Sequence, residues 1–369
     1  QKAQSTRAGQ TAPGKGITVR DWPIDLEELH NIDLRYLRIR LGDDNKPKGG
    51  EDVMTVNRND NLILDHLSLS WGIDGNSDYR ANSNMTLQWL IYSEALNNSI
   101  HEKGAHAMCT SIRDCKGNTS VHHNIYASSR FRHPTLGSGV KNGKSDVLLD
   151  FRNCVNYNWS GPTNLGGIKL NIVGNYYRPG PMSDEAGLPM QVKDDTMEFA
   201  HGFMSGNIFD EMAKVLTTDN YAAVLYSNSG HYVSTTRQAW VASREFPTGE
   251  YTIPTQTAED AYESCLRFAG ASLARDTVDV RLVSDIRRRS GRLIDSQKDV
   301  GGWDSYRGEH RPANWDSDGD GMPDRWELAH GLDPHNAEDR NQRSAGGYTR
   351  LEEYLNSLVP APSVNTSAK

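Results

Sequence analysis

The sequence predicts an all-β fold, a right-handed parallel β-helix or solenoid, with a small C-terminal extension of helices and an acidic loop. Three observations carry this. Between residues 17 and 209, nine short runs rich in Val, Ile, Leu, Tyr or Trp alternate with clusters of Asn, Asp, Gly and Ser. From the fourth run onward the runs begin roughly 22 to 34 residues apart, the range of stacked repeats. Within a run, two apolar clusters are split by a short polar pair, as Asp65-His66 splits LILDHLSLSW; MTLQWLIY and SVHHNIY behave alike. Two strands meeting at a tight bend, followed by a loop cluster, would make one coil whose apolar face stacks on the next. A β-sandwich is the alternative for so many short strands. The solenoid is preferred because long polar clusters, not two-residue hairpin turns, separate the runs.

Residues 1–16 are polar and turn-rich. The predicted strands then fall in ITV (17–19), LRYLRIRL (34–41), DVMTV (52–56), NLILDHLSLSW (61–71), NMTLQWLIY (84–92), NTSVHHNIY (118–126), DVLLDFRNCVNYNW (146–159), IKLNIVGNYY (168–177) and FMSGNIF (203–209). Asn61, Asn84 and Asn118 suit turns, because an Asn side chain bonds its own backbone and tolerates the left-handed region. Strand alternation should send His122 and His123 to opposite faces, one of them buried. Residues 211–256 read as irregular with strand fragments. A helix is expected over 257–273, with Thr257 as N-cap and apolar spacing at Tyr262, Cys265, Leu266 and Ala269. A second is expected over 276–291, ended by Gly291. A linker-like stretch (292–315) follows, and the 361–369 tail should be loose. The expected organisation is a β-helix over 1–256, a paired-helix segment over 257–315, and a loop module with tail over 316–369.

Composition narrows the function classes. The 369 residues carry 40 Lys+Arg against 48 Asp+Glu, a net charge of −8. A general nucleic-acid binder would need a basic face, but an anionic ligand can still find a local basic cleft. No apolar run is long enough to span a bilayer. The chain begins at Gln1, which suggests a processed, trimmed or partial form. Cys109, Cys115, Cys154 and Cys265 make no zinc spacing. Cys109 and Cys115 either close a small disulfide loop or stay as buried thiols.

The clearest local motif is DSDGDGMPDRWE (316–327). Asp316, Asp318 and Asp320 stand at positions 1, 3 and 5, Gly321 at the obligatory turn, and Asp324 and Glu327 at 9 and 12. This is the pattern of a twelve-residue EF-hand loop, in which packed carboxylates are neutralised by Ca2+. It is similar to the calcium repeats of dockerins and thrombospondins. WELAHG should be a short helix closed by Gly331.

Three clusters in the repeats carry further chemistry. Asp52, Asp74 and Asp78 could meet on neighbouring coils as an open cation site. Lys103 lies between His101 and His106, and Arg130, Arg132 and His133 stand beside Pro134. Taken singly, each is more often a turn or surface residue.

Taken in order, AGQTAPGKGI, DVMTV, NLILDHLSLSWG, NMTLQW, SVHHNIY, Arg132-His133-Pro134, VGNYYRPGP, IDSQKDVGGW and GYTRLEEYLN run nearly the length of the chain. Together they resemble the pectate lyases of polysaccharide lyase family 1. That resemblance implies a β-helix whose groove binds polygalacturonate, an anionic polysaccharide. It implies calcium held by Asp52, Asp74 and Asp78, Arg132 as the base that removes the C5 proton, and Lys103 pairing with a substrate carboxylate. Arg130, His133 and His101 are expected to touch substrate. A monomer acting outside the cell or in the periplasm, with no nucleic-acid or membrane partner, is also implied. Two departures stand out. Thr135, Leu136 and Gly137 fill the stretch where the family carries a further arginine, a place Arg130 could serve. The start is also short of a first coil and cap, which would leave an exposed solenoid end. Competing readings are a lyase on methylated pectin or another uronate polymer, a hydrolase, and a non-catalytic glycan-binding β-helix. Methylated pectin needs no calcium carboxylates. A polygalacturonase would carry Asn-Thr-Asp, Gly-His-Gly and Arg-Ile-Lys signatures, which are absent.

Overall fold

A computed structural model of the chain describes residues 5–44, 50–137, 147–184, 187–192, 201–226, 235–249 and 253–360. These residues form three parallel sheets of eight strands each, wound as a right-handed β-helix. Each turn of the chain adds one strand to each sheet, so every strand pairs with its counterparts in the neighbouring coils. The expected two-strand coil is therefore corrected to three. The predicted runs supply most of the first two sheets. The bend inside each run is their shared corner, as between Asp60–Asp65 and Ser68–Ser70. The third sheet contains Met54–Asn57, Gly75–Arg80, Met108–Arg113, Thr135–Leu136, Thr163–Leu165 and Met190–Val192, most of which read as loop text. Strand Ser5–Ala8, inside the supposedly turn-rich opening, lies at one edge of the first sheet.

The interior is built by register. In the first sheet Leu34, Leu64, Leu87, Val121, Phe151, Ile172 and Met204 stack in one line, all buried. In the third, Leu26, Val56, Tyr79, Ile112, Leu136, Leu165 and Val192 do the same from coil to coil. Corner residues adopt left-handed backbone, which lets one residue reverse the chain direction. At the first corner Tyr36, His66, Trp89 and His123 have φ of 55°, 54°, 57° and 56°. Their rings stack in succession at 4.4, 5.8 and 4.2 Å. Each such residue costs roughly 1–2 kcal/mol of backbone strain, which ring contact and burial offset. His123 is thus a corner residue, and both it and His122 are buried, their Nδ1 atoms 2.9 Å apart. Strand alternation does not apply across that bend. Asn61 and Asn84 are left-handed as expected, and Asn84 donates to Asn61 at 3.1 Å. A second, buried Asn ladder runs from Asn175 to Asn207 (2.8 Å) and on to Asn220 (3.0 Å).

The two expected helices are Ala258–Phe268, capped by Thr257, and Thr277–Arg288, capped by Asp276. The second ends at Arg289 in the left-handed region, two residues before Gly291. Cys265, Leu266, Ala269, Leu282 and Ile286 cover the outer face of the second sheet at Ile91, Ile125 and Val155. Arg40, fully buried, fixes the helix start to the solenoid: it donates to Asp276 at 3.0 Å and Asp279 at 2.8 Å. Residues 211–256 include short helices at Lys214–Thr218 and Arg237–Trp240. In the linker-like stretch, Ile294 and Trp303 pack over Trp71. All four cysteines are buried free thiols, so the disulfide alternative is set aside. Among the described residues no helix is long and apolar enough to cross a membrane. The 361–369 tail lies outside the described residues.

Candidate functional site

The second sheet is covered on its outer face by the two helices, whereas the third presents a polar line. Thr55, Asp78, Ser111, Thr135, Asn164 and Gln191 share one register position. They are partly linked: Gln191 donates to Asn164 at 2.6 Å and Asn164 to Thr135 at 2.8 Å. Tyr79 and Ile112, next in sequence to Asp78 and Ser111, point into the core and hold the polar neighbours outward.

Parallel stacking brings together residues that are 22 to 80 positions apart. Asp52 precedes Met54–Asn57, Asp74 precedes Gly75–Arg80, and Asp78 lies within that strand. Asp52 feels Asp74, Asp78, Arg132 and Arg113. Burial, then repulsion from Asp74 and Asp78, pushes its carboxyl up to about 8, although Arg132 and Arg113 pull the other way. Gly75 lies directly under Asp52: a Cβ there would sit 2.7 Å from Asp52 Oδ1. The carboxylate therefore occupies a cradle that only glycine leaves open. Asp78 accepts from Arg113 Nη2 at 2.6 Å and Nε at 3.3 Å, a pairing sequence reasoning missed. Its signal was hidden with the third strand, since Arg113 is two residues past Asp78's register partner, Ser111.

Arg132 reaches the same surface. It is left-handed (φ 60°), and its Nη1 donates to Ser111 Oγ at 3.2 Å. Its backbone O accepts from Thr110 N at 3.0 Å, seating the turn on the next strand. Arg130 is half-buried, with its guanidinium 4.9 Å from the Phe131 ring centroid.

His101, Lys103 and His106 form an adjoining loop. Lys103 is exposed and its backbone N donates to His101 Nδ1 at 3.0 Å. The His101 and His106 rings stack at 3.6 Å, and His106 Nε2 is 3.9 Å from Asp74 Oδ1. Burial, and then His106, lowers the His101 pKa, which favours its neutral form. Asp74, His101 and His106 present ligand atoms within 4.8 Å of one another. His101 is itself buried, so it supports the loop from beneath rather than offering a face to a polymer. His133 requires a firmer correction. It is 1% exposed, its Nε2 bonds Ser129 O at 2.8 Å, and burial depresses its pKa to about 4. It lies under the site as a neutral structural ring and is too deep to touch substrate.

The acidic loop lies elsewhere in the fold. Asp316, Asp318 and Asp320 present carboxylate oxygens within 4.8 Å of one another. Glu327 lies with Asp320 and Asp339 in a second such group, which shares Asp320 with the first. Asp324 does not: its carboxylate is taken by Ser317 N at 2.7 Å and Ser317 Oγ at 2.6 Å. The helix Asp324–Ala329 follows and Gly331 closes it with φ 72°, as the sequence predicts.

No family model matches the chain. Over 366 residues it is 31% identical to the probable pectate lyase C of Aspergillus terreus, covering 96% of this chain and 79% of that one. Over 373 residues it is 31% identical to the probable pectate lyase C of Aspergillus oryzae, covering 97% and 79%. Among solved structures, pectate lyase C from Erwinia chrysanthemi with Ca2+ superposes with a TM-score of 0.45 at 18% identity, covering 69% of this chain and 71% of that one. A Bacillus pectate lyase in complex with trigalacturonate gives 0.43 at 15%, covering 68% and 71%. The superpositions are too loose to bear on the site, but the sequence matches span nearly the whole of this chain and about four fifths of each relative. By them, the chain belongs to the pectate lyase family.

Proposed function

We propose that the chain cleaves α-1,4-linked polygalacturonate by calcium-assisted β-elimination on the third sheet. The observation that carries this is the meeting of Arg132 with the half-buried, mutually repelling carboxylates of Asp52, Asp74 and Asp78. A cation fits there on the chemistry of the donors. Asp52 is strained toward protonation by its acidic neighbours, and a hard divalent ion with oxygen ligands relieves that repulsion. When bound, calcium supplies positive charge that acidifies the proton next to a uronate carboxylate.

The chain's own groups do the rest. Lys103, exposed on its loop, pairs with a substrate carboxylate and fixes the sugar over the sheet. Arg132, in its neutral guanidine form after giving its own proton to solvent, accepts the C5 proton. The electron pair of that C–H bond becomes the C4–C5 double bond, and the C4–O bond breaks with its electrons on the leaving oxygen, which takes up a proton. The products are a shortened chain and a 4,5-unsaturated oligogalacturonate. Ser111 holds the Arg132 guanidinium in place, and Arg113 anchors Asp78 so that it does not swing out of the cluster. In this reading residues 1–256 carry the groove, 257–315 brace it, and 316–369 form a separate calcium module. A polymeric substrate places the activity outside the cytoplasm, on a monomer.

The test is ultraviolet absorbance of unsaturated product from demethylated polygalacturonate, with calcium and with excess chelator. Absorbance that rises with calcium and stops with chelator supports the proposal. Product of the same kind from methylated pectin in chelator would replace it with calcium-free elimination. Reducing ends without absorbance would replace it with hydrolysis.

A further inference from the structure

The strongest unexplained chemistry lies in the C-terminal module, where carboxylates are buried without partners. Glu327 is 0% exposed, and neither of its oxygens has a hydrogen-bond partner. Asp320 is 2% exposed and Asp339 3%; Asp320 Oδ2 and Asp339 Oδ1 are likewise buried and unpartnered, as is Asp318 Oδ2. Oxygens of Asp320, Glu327 and Asp339 lie within 4.8 Å of one another, and Asp320 also belongs to the Asp316–Asp318 group. Burying one bare carboxylate is expensive, and burying several together is worse unless a cation neutralises them.

The surrounding hydrogen bonds aim these oxygens. Asp316 accepts from Gly319 N (2.8 Å) and Gly321 N (2.9 Å), and Asp320 Oδ1 accepts from Met322 N (2.8 Å), which curls the loop. Asp339 arrives from a turn twelve residues past Glu327. Its Oδ2 accepts from Asp333 N at 2.9 Å, leaving Oδ1 to face the cluster. Asp324, at loop position 9, is instead exposed to solvent on one side and bound to Ser317.

We propose that Asp316, Asp318, Asp320, Glu327 and Asp339 hold one calcium-like hard divalent cation, with Asp339 taking the place the linear motif gives to Asp324. The cation then joins three segments: the loop, the helix Asp324–Ala329 and the turn Asp339–Asn341. Those segments bury Met322, Leu332, Tyr354 and Leu355 together, with Trp315, Trp326 and Ala8 packed against them. Ala8 belongs to the first described coil. Arg311 donates to Thr11 O at 2.9 Å, and Arg35 to Asn356 Oδ1 at 3.0 Å. Cation binding therefore firms the module's hold on that end of the solenoid.

The test uses the full chain, stripped of metal, in an Asp52→Asn, Asp74→Asn background that removes the groove ligands. Ca2+ is titrated by calorimetry, with trypsin cleavage at exposed Arg343 as a local readout. The expected result is one site whose filling protects Arg343. Asp339→Asn and the isosteric Glu327→Gln each weaken affinity at least tenfold and lose the protection. Asp324→Asn stays within about threefold. Two outcomes overturn the proposal. One is Asp324→Asn weakening binding as much as Asp339→Asn does. The other is a folded parent chain that takes up no Ca2+ and gains no protection. If Asp339→Asn fails to fold, Glu327→Gln against Asp324→Asn decides the same question.

Discussion

The groove cluster and the C-terminal cluster are both groups of carboxylates, yet they are built oppositely. Around Asp52, Asp74 and Asp78 the protein supplies its own positive charge: Arg113 pairs with Asp78, and Arg132 acts on Asp52. Asp74 and Asp78 stay partly open to solvent. Among the described residues no guanidinium pairs with the carboxylates of Glu327 and Asp339; the Arg340 contact nearby goes to the Asp320 backbone oxygen. Burial, then Asp320 and its acidic neighbours, raises Glu327 to about 7. A half-compensated, half-open cluster suits a cation that exchanges and shares its coordination with a substrate. A sealed, uncompensated cluster suits a cation that stays and holds the chain together. The Arg40–Asp276–Asp279 group is a third solution, in which a buried guanidinium does what the cation does elsewhere.

That contrast can be broken in several places. Arg132→Ala should lower kcat by about 10³-fold or more while melting stays unchanged, as measured by product absorbance and thermal denaturation. Asp276→Asn should cost roughly 3–5 kcal/mol of stability, because it removes one of the two carboxylates that neutralise the buried Arg40. Denaturant unfolding should show that loss equally with and without chelator, unlike losses at Glu327. Asp52→Asn should raise the calcium needed for half-maximal activity at least tenfold, with no fall in melting temperature, since it removes a buried repulsive charge. Acid acts less selectively. Burial holds His122 at about 3 and His123 and His133 at about 4, below the value near 6.5 of an unfolded chain. Between those values the unfolded state binds more protons, so stability is full above pH 6.5 and falls as pH drops toward 4. The slope is up to about 1.4 kcal/mol per pH unit per ring. Melts across that range should show the fall, and His133→Asn should make it shallower.

The two strand runs of each coil were legible because their apolar residues face the core on one side and helices or neighbouring coils on the other. LRYLRIRL and NLILDHLSLSW announce themselves as strands joined by a bend. Apart from DVMTV, the third strand was not legible, because it faces the groove. GNSDYR reads as loop text, since Asp78 and its neighbours must be polar where a ligand would lie, and only Tyr79 reaches the core. The candidate residues Asp52, Asp74, Asp78 and Arg132 were singled out through order and motif. Their partners Arg113 and Ser111 were not, because register across coils is invisible in a linear reading. His133 misled for a related reason: it adjoins Arg132 in sequence, but the left-handed turn at Arg132 sends the two side chains to different depths. Position counting likewise placed Asp324 in the calcium loop; the fold engages its carboxylate with Ser317 and brings Asp339, beyond any local motif, beside Asp320 and Glu327.

The most direct measurement follows activity and trypsin protection of Arg343 through one calcium titration, in the parent chain, Asp52→Asn and Asp339→Asn. The expected result is crossed: Asp52→Asn moves only the activity curve, and Asp339→Asn moves only the protection curve. Both curves moving together in either variant would contradict the division between a working cation and a resident one.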